Sequence, residues 1–351
     1  MSQRPHYFIQ HALHAGISEV LWINPYPGRL PGLQDFVPGR HAEEPSGRLK
    51  LAHLHIESVR PIFPVEPFHH LFKLINYKTL KQTIEKIVDF KDEKTIIAIG
   101  KPSLLAIELC KKQLWHQIIF DAMDNYPAFF TGHSSKSMLK NEEVIADLAD
   151  IIICTSHPLQ GKFSQNASKV HLCLNACTPG FALKRNNDID LSKDALTFGY
   201  VGTIASWFDW DWVIELASLH PSHKIRLVGP LKTLKPKELP ANIFFEKAIS
   251  HDDVPEFLAE IDVGLIPFKK NSITHYVDPI KYYEYRSNGL PVLSTPFGEM
   301  SWHHAELESS NTLCPFEVPK HSLYFGPSDT HHITWDMRFA ELFKNSIMKL
   351  V

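Results

Sequence analysis

Short apolar runs alternate with amphipathic segments along almost the whole chain. Continuous apolar runs are typical of parallel strands covered on both faces, and helical patterns between strands predict crossover connections. The predicted strands are VLWINPYP, TIIAIG, QIIFDAMD, IIICTS and VHLCLN in the first half, and LTFGYVGT, KIRLVGP, NIFFEKA, VGLIPF and PVLST in the second. The predicted helices between them include NEEVIADLAD, WVIELASLH and VPEFLAEID. The pattern therefore predicts an α/β fold built from doubly wound parallel sheets.

A polar stretch without periodicity, KRNNDIDLSKDA at 184–195, separates two such halves. We expect residues 1–183 and 184–332 to form two Rossmann-like domains that face a cleft. The first half opens with SQRPHYFIQHALHAG, a loop and helix pattern, so we expect its sheet to lack the usual first strand. The stretch 25–65 is rich in Pro, Gly and His, and we expect a long loop that carries a short strand.

Composition narrows the class of protein. The 351 residues suffice for about two domains, and 44% hydrophobic with 21% charged residues indicates a globular protein. The net charge of -3 gives no basis for a nucleic-acid partner. No apolar run reaches the roughly 18 residues that span a bilayer, and MSQRPHYF does not resemble a signal peptide. We therefore expect a cytoplasmic location.

The cysteine and histidine positions do not predict a metal site. Cys173 and Cys177 have no second pair to complete a zinc site, and the 21 histidines are scattered along the chain. We expect the five cysteines to be buried free thiols.

Two glycines follow predicted strands in the second half. Gly202, with Thr203, comes after LTFGYV, and Gly229 comes after KIRLV. Glycine at such a position lets the backbone approach a ligand closely, and a following helix N-terminus favours an anion. The alternative is a plain turn from strand to helix.

The segment DPIKYYEYRSNGLPVLST, 278–295, predicts a short helix that feeds a buried strand. Asp278 is suited to cap this helix, Pro279 is suited to its first position, and Asn288-Gly289 is suited to end it in the left-handed conformation.

Lys281 and Glu284 share one face of this helix, because they are three residues apart. They could be a solvated ion pair. However, the ligands of doubly wound sheets bind beyond the carboxyl ends of the strands. A lysine there can neutralise a diphosphate, and a glutamate can accept two ribose hydroxyls.

Two carboxylates follow a predicted strand in the first half. In FDAMDNYPAFF, Asp121 and Asp124 come directly after QIIF, so we expect at least one at the mouth of the cleft. The alternative is that either one caps the next helix. Glu142 and Glu143 open NEEVIADLAD, and we expect them to interact with the N-terminal dipole of that helix.

The run 262–295, DVGLIPFKKNSITHYVDPIKYYEYRSNGLPVLST, resembles the donor-binding region of GT-B fold glycosyltransferases. It is most similar to the family-4-like bacterial enzymes that build capsular, exopolysaccharide or teichuronic-type polymers. The resemblance covers residues 115–351 well and 3–110 thinly. It implies that Lys281 contacts the diphosphate of a sugar nucleotide and Glu284 its ribose. The donor site would also include Gly202, Thr203, Gly229 and Pro279.

The resemblance also implies roles in the first half. One carboxylate of FDAMDN would face the reacting sugar and act as a general base, and Asp121 is favoured over Asp124 because it lies nearer the strand. Arg4 and His6 in QRPH would contact a donor phosphate or the acceptor. The helix at 333–351 would pack back onto this first domain. The family's E-x7-E signature is not met, because Tyr276 stands eight positions before Glu284, so retention or inversion at the sugar stays open.

The implied function is transfer of a sugar from a nucleoside-diphosphate sugar to a saccharide or lipid-linked acceptor in cell-surface polysaccharide biosynthesis, with a UDP-sugar as the favoured donor. No cofactor or metal is implied. FHHLFKLINYKTLKQTIEK could form a basic amphipathic face for peripheral membrane association, with an ordinary solvated helix as the alternative. Two other functions remain open: a nucleotide-sugar 2-epimerase of the same fold, and a catalytically degenerate partner protein.

Overall fold

A computed structural model of the chain divides into two compact units. The N-terminal unit comprises Met1–Thr155, Leu159–Cys173 and Phe339–Val351, and the C-terminal unit comprises Ser156–Pro158 and Leu174–Arg338. The structure describes residues 4–26, 53–59, 61–62, 66–178, 181, 189–307, 313–327 and 333–347. The predicted boundary between residues 183 and 184 lies outside the described residues.

The N-terminal unit contains a four-stranded parallel sheet and a separate parallel strand pair. The pair is β1 (Val20–Asn24) with β2 (Leu54–Ser58), and the sheet is β3 (Ile96–Ile99), β4 (Gln117–Ala122), β5 (Ile151–Cys154) and β6 (Val170–Leu172), in that order. The helices up to β6 are α1 (Arg4–His14), α2 (His69–Ile75), α3 (Tyr77–Phe90), α4 (Leu104–Cys110), α5 (Gly132–Leu148) and α6 (His157–Lys162). Every residue of β4 and β5 is buried, as continuous apolar strands require.

The C-terminal unit is built on one six-stranded sheet. Its strands are β7 (Thr197–Val201), β8 (Lys224–Val228), β9 (Ile243–Glu246), β10 (Val263–Ile266), β11 (Val292–Ser294) and β12 (Leu323–Phe325). Their order is β12-β11-β10-β7-β8-β9, and all neighbours are parallel except β11 with β12. The chain order therefore reverses between β7 and β10, which is where doubly wound sheets bind ligands.

Five helices complete the described chain: α7 (Trp210–Leu219), α8 (Val254–Ala259), α9 (Ile280–Ser287), α10 (Met300–Leu307) and α11 (Trp335–Leu342). A π-helical turn, Phe343–Ile347, follows α11. Within the N-terminal unit, Phe339 and Phe343 pack against Phe8 of α1, with ring centroids 5.4 and 5.2 Å apart. Among the described residues, no helix has the length and apolar character needed to cross a bilayer.

All ten predicted strands and the α/β fold class are confirmed. The short strand expected within 25–65 is β2, whereas the antiparallel β12 was not predicted. Helix α5 begins at Gly132, ten residues before Glu142, so the prediction that Glu142 and Glu143 serve a helix N-terminus is wrong. Of the five free cysteines, four are buried and Cys314 is only half-buried.

Helix α9 packs unusually close to the sheet because β10 carries a glycine. A Cβ built on Gly264 would lie 2.8 Å from Cγ of Tyr285, whose ring is buried on α9. The Tyr285 hydroxyl in turn accepts a hydrogen bond from the Val201 N–H at the end of β7, at 3.3 Å. Tyr285 therefore ties α9 to the strand ends at the reversal point.

Replacing Gly264 by alanine is expected to lower the free energy of unfolding by about 1–3 kcal/mol, because the added methyl overpacks the core against Tyr285. Urea unfolding followed by circular dichroism measures the change. Gly161→Ala in α6 is the matched control, since its Cβ would meet open space. Equal losses in the two variants would contradict this account of how α9 packs.

Candidate active site

Two glycines form the floor of a turn at the carboxyl edge of the C-terminal sheet. Gly202 follows β7 with φ +147° and Gly229 follows β8 with φ +138°, a conformation that favours glycine. A Cβ on Gly229 would collide with the backbone of Gly202. The Gly202 N–H donates to the carbonyl oxygen of Val228 at 2.8 Å, so it is not free to bind an anion. The N–H of Thr203 donates to none of the described residues, which makes it the available backbone donor of this turn.

Lys281 lies directly over this turn. A Cβ on Gly202 would lie 2.6 Å from Cε and 2.8 Å from Nζ of Lys281, so only glycine leaves room for the lysine. The ammonium also lies 5.5 Å from the ring centroid of Tyr200, whose hydroxyl donates to the Thr203 carbonyl at 2.9 Å. Within the described residues, Lys281 forms no hydrogen bond and no ion pair. Burial lowers the pKa of Lys281, while the charge of Glu284 opposes this effect.

Glu284 is the second charged group without a partner on α9. It is only 9% exposed, and its carboxylate accepts no hydrogen bond from the described residues. Burial raises the pKa of Glu284, and the positive charges of Lys281 and His251 act in the opposite direction. Lys281 and Glu284 are therefore not the solvated pair that their spacing alone could have indicated.

His251 belongs to the same group of side chains, although the sequence did not predict it. Both of its ring nitrogens are buried and lack a hydrogen-bond partner among the described residues. The ring packs beside Phe181, with centroids 5.2 Å apart. Only the fold brings His251 near Glu284, because the two residues are 33 positions apart in the sequence.

A buried polar network fixes the start of α9. Asp278 accepts hydrogen bonds from the Tyr283 hydroxyl at 2.8 Å and the backbone N–H of Asn175 at 2.7 Å, and it lies 3.0 Å from His303 Nε2. Pro279, not Asp278, occupies the N-cap position, so the predicted capping role of Asp278 is wrong. The predicted end is confirmed, because α9 stops at Ser287 and Gly289 has φ +71°.

Asp121 and Arg4 form a buried ion pair in the N-terminal unit. Arg4 Nε lies 3.2 Å from both carboxylate oxygens of Asp121, and Nη1 donates to the carbonyl oxygen of Cys173 at 3.0 Å. Burial is the largest single effect on Arg4 and opposes its charge, but Asp121 and Cys173 together outweigh it, so the pKa of Arg4 is raised. Burial also raises the pKa of Asp121, with Arg4 acting in the opposite direction. Both side chains are thus engaged in joining α1 to the sheet.

Asp124, in contrast, has a carboxylate that accepts no hydrogen bond from the described residues. It is partly buried in the loop after β4. Burial and the nearby negative charge of Asp121 raise the pKa of Asp124 to about 7. A carboxyl group with this pKa can exchange a proton near neutral pH.

The loop that carries Asp124 is held by charged and polar contacts. Lys162 donates to Oδ1 of Asn125 at 2.7 Å and pairs with the buried Glu142 of α5. The Tyr126 hydroxyl donates to the carbonyl oxygen of Gly100, at the end of the neighbouring strand β3. These contacts place Asp124 at the carboxyl edge of the N-terminal sheet. His6 is buried in the same unit, where its ring stacks on Trp22 with centroids 5.4 Å apart.

The fold is that of the GT-B glycosyltransferases, as the comparison with solved structures shows. Sucrose-phosphate synthase from Thermosynechococcus elongatus matches with a TM-score of 0.57 at 13% identity, over 97% of this chain and 83% of that one. An E. coli structure named for trehalose-6-phosphate and bound with UDP-2-fluoro glucose matches with 0.54 at 12%, over 99% and 90%. HepE from Anabaena in complex with UDP-glucose matches with 0.50 at 14%, over 85% and 78%.

Among curated proteins, the chain is similar to a Bacillus subtilis (strain 168) protein provisionally named teichuronic acid biosynthesis glycosyltransferase TuaH. The two are 26% identical over 202 residues, which is 52% of this chain and 51% of TuaH, so the chain spans about half the length of this relative. No protein-family profile matches the chain. The resemblance inferred from the motifs is thus confirmed, and the epimerase alternative gains no support.

Substitutions of Asp121 and Asp124 are expected to change the free energy of unfolding in opposite directions. Asp121→Asn should lower the free energy of unfolding by about 3–5 kcal/mol, because it leaves Arg4 buried without its counter-ion. Asp124→Asn should raise stability at about pH 8, because ionised Asp124 is disfavoured in the folded state. This gain should shrink as the pH falls below about 7, where Asp124 takes up a proton. Urea unfolding of both variants at about pH 8 and about pH 5.5 measures these changes; similar losses in both variants would show that the assignment is wrong.

Proposed function

We propose that this protein is a glycosyltransferase of cell-surface polysaccharide biosynthesis. It transfers a sugar from a nucleoside-diphosphate sugar, with UDP as the favoured nucleotide, to a saccharide or lipid-linked acceptor. The similarity to TuaH supports the biosynthetic setting. Structures of the same fold contain UDP-glucose, or UDP and glucose, which supports the donor class.

One observation carries the proposal: α9 presents a lysine and a glutamate that are largely buried and have no hydrogen-bond partner in the described chain. An unpaired buried charge costs several kcal/mol, so such groups persist where a ligand completes them. A diphosphate complements Lys281 and the Thr203 N–H, and the two hydroxyls of a ribose complement Glu284. These groups all lie at the reversal point of the C-terminal sheet, so this unit holds the donor.

In the reaction, the acceptor hydroxyl oxygen attacks the anomeric carbon while the bond from that carbon to the diphosphate oxygen breaks. Lys281 and the Thr203 N–H stabilise the negative charge that develops on the leaving diphosphate. Fixed protein charges thereby take the place of a divalent cation, and no metal is required. The acceptor hydroxyl must lose its proton, and we assign that proton to Asp124 of the N-terminal unit, because Asp121 is engaged by Arg4.

Lys281 and Glu284 can be tested with two ligands, UDP and inorganic pyrophosphate. Lys281→Ala should weaken both about 10- to 100-fold, since hydrogen bonds to charged groups contribute about 1.5–3 kcal/mol. Glu284→Gln should weaken UDP by a similar factor and leave pyrophosphate unchanged, because pyrophosphate has no ribose. Isothermal titration calorimetry measures both affinities.

The controls are Lys224→Ala and Glu215→Gln, which change exposed residues of the same unit away from the carboxyl edge of the sheet. Both should bind UDP like the parent protein. If Lys281→Ala and Glu284→Gln also do so, the donor site is assigned to the wrong residues. A parent protein that binds neither UDP nor another nucleoside diphosphate would instead favour the degenerate partner protein.

The pH dependence of turnover tests Asp124. The ionised carboxylate is the form that accepts a proton, so kcat/KM should rise with pH through about 7 and then level off. Asp124→Asn should lower kcat about 100-fold or more and remove this limb of the profile. Asp147→Asn, an exposed position on α5, serves as control. A limb that persists in Asp124→Asn would assign the proton acceptor to another group.

A further inference from the structure

The strongest concentration of exposed apolar side chains in the described chain lies on and beside α2. Phe68, Leu71, Leu74 and Ile75 are all exposed, and Leu74 is exposed by 77%. Positions 68, 71 and 75 follow the spacing of one helical face. Exposed apolar residues scattered singly need no explanation, but a contiguous group marks an interaction surface.

Exposed lysines of α5 border these residues. The rings of Phe68 and His133 lie 5.8 Å apart, and His69 Nε2 lies 2.9 Å from Ser137 Oγ, so the start of α2 lies against α5. Lys136 and Lys140 are exposed on α5 and form no ion pair with the described residues. Burial lowers the pKa of His69, and the charge of Lys140 adds to this effect, which indicates that this lysine lies close to α2.

We propose that this surface is a docking face for an anionic lipid bilayer. The docking face consists of Phe68, Leu71, Leu74, Ile75, Lys136 and Lys140. The inference rests on the proposed function, because an acceptor with a lipid anchor is presented at a membrane surface. Stable peripheral attachment needs two signals, apolar insertion and attraction to anionic headgroups, and this face carries both. An interface between protein copies would not require lysines that lack acidic partners, whereas a bilayer rich in anionic lipid complements them.

The docking face adjoins the proposed acceptor side. Helix α5 packs on the turn Tyr126–Phe129 that follows Asp124, and Ser135 Oγ donates to the Pro127 carbonyl at 2.9 Å. Phe129 of that turn is exposed as well. A bilayer bound to this face would therefore lie beside the loop that carries the proton acceptor.

The exposed surface differs from the basic amphipathic face that the sequence predicted for FHHLFKLINYKTLKQTIEK. Phe72 is completely buried, and Lys73 pairs with Glu108 at 2.7 Å, so neither contributes a free group to the surface. Lys81 lies 3.7 Å from Glu85 on α3. Lys78 of the predicted stretch is exposed and forms no ion pair with the described residues, and further positive charge comes from α5, which is distant in sequence from α2.

Flotation of the full chain with two kinds of vesicle tests the proposal. The parent should bind phosphatidylcholine vesicles that contain phosphatidylglycerol, more weakly as salt is added, and should bind pure phosphatidylcholine poorly. Leu74→Glu should weaken partitioning onto the mixed vesicles about tenfold or more, since it removes a leucine side chain that the bilayer would bury. The pair Lys136→Glu and Lys140→Glu should weaken it by a similar factor and abolish the salt dependence.

Leu234→Glu is the matched control, because Leu234 is 92% exposed in the C-terminal unit. It should partition like the parent. UDP titration of the same variants distinguishes the docking face from the donor site. Variants of the docking face that lose vesicle binding but still bind UDP like the parent would support the docking face. If the parent protein binds UDP but neither kind of vesicle, the docking-face proposal is wrong and the donor-site proposal is unaffected. Sedimentation showing that Leu74→Glu separates a dimer into monomers, without any vesicle binding, would assign the face to a second copy.

Discussion

The C-terminal unit is organised around one constraint: a largely buried ammonium group lies over a glycine turn and has no counter-ion among the described residues. Lys281 can lie there only because Gly202 has no Cβ, and Gly202 needs Gly229 beside it for the same reason. The helix that carries the lysine is held by Tyr285 on one side and by the Asp278 network at its start. Several rigid contacts thus maintain one unsatisfied charge.

The N-terminal unit is organised by the opposite arrangement, in which most of its buried charges are paired. Arg4 is matched with Asp121, and Lys162 with Glu142. Against this satisfied background, Asp124 stands out as a carboxylate with no hydrogen bond from the described chain and a pKa raised to about 7. The paired charges hold the loop and the helices, and they also supply the negative charge that tunes Asp124. Under the proposed function, structural and chemical roles are therefore divided between neighbouring acids.

Three departures from ordinary protein construction coincide with the proposed functions. Largely buried charges without partners among the described residues mark the proposed donor site, left-handed glycines mark the turn beneath it, and exposed leucines mark the proposed docking face. Each departure costs folding free energy, and consistency among local preferences is the normal condition for a stable fold. Such residues lie among well-packed elements that keep the fold stable. A bound ligand or membrane would offset the free energy that these residues cost.

The sequence by itself determined ten of the described strands, the end of α9 and the glycine turns, because these depend on local periodicity and backbone conformation. It also placed Lys281 and Glu284 on one face. Only the tertiary structure shows that Asp121 is engaged by Arg4, 117 residues away, whereas the Asp124 carboxylate accepts no hydrogen bond from the described residues. The burial of His251 near Glu284 likewise depends on the fold, and no local pattern encodes it. Hydrogen bonding and desolvation arise between segments distant along the chain, so the sequence could propose candidate site residues, whereas only the fold shows their burial and their partners.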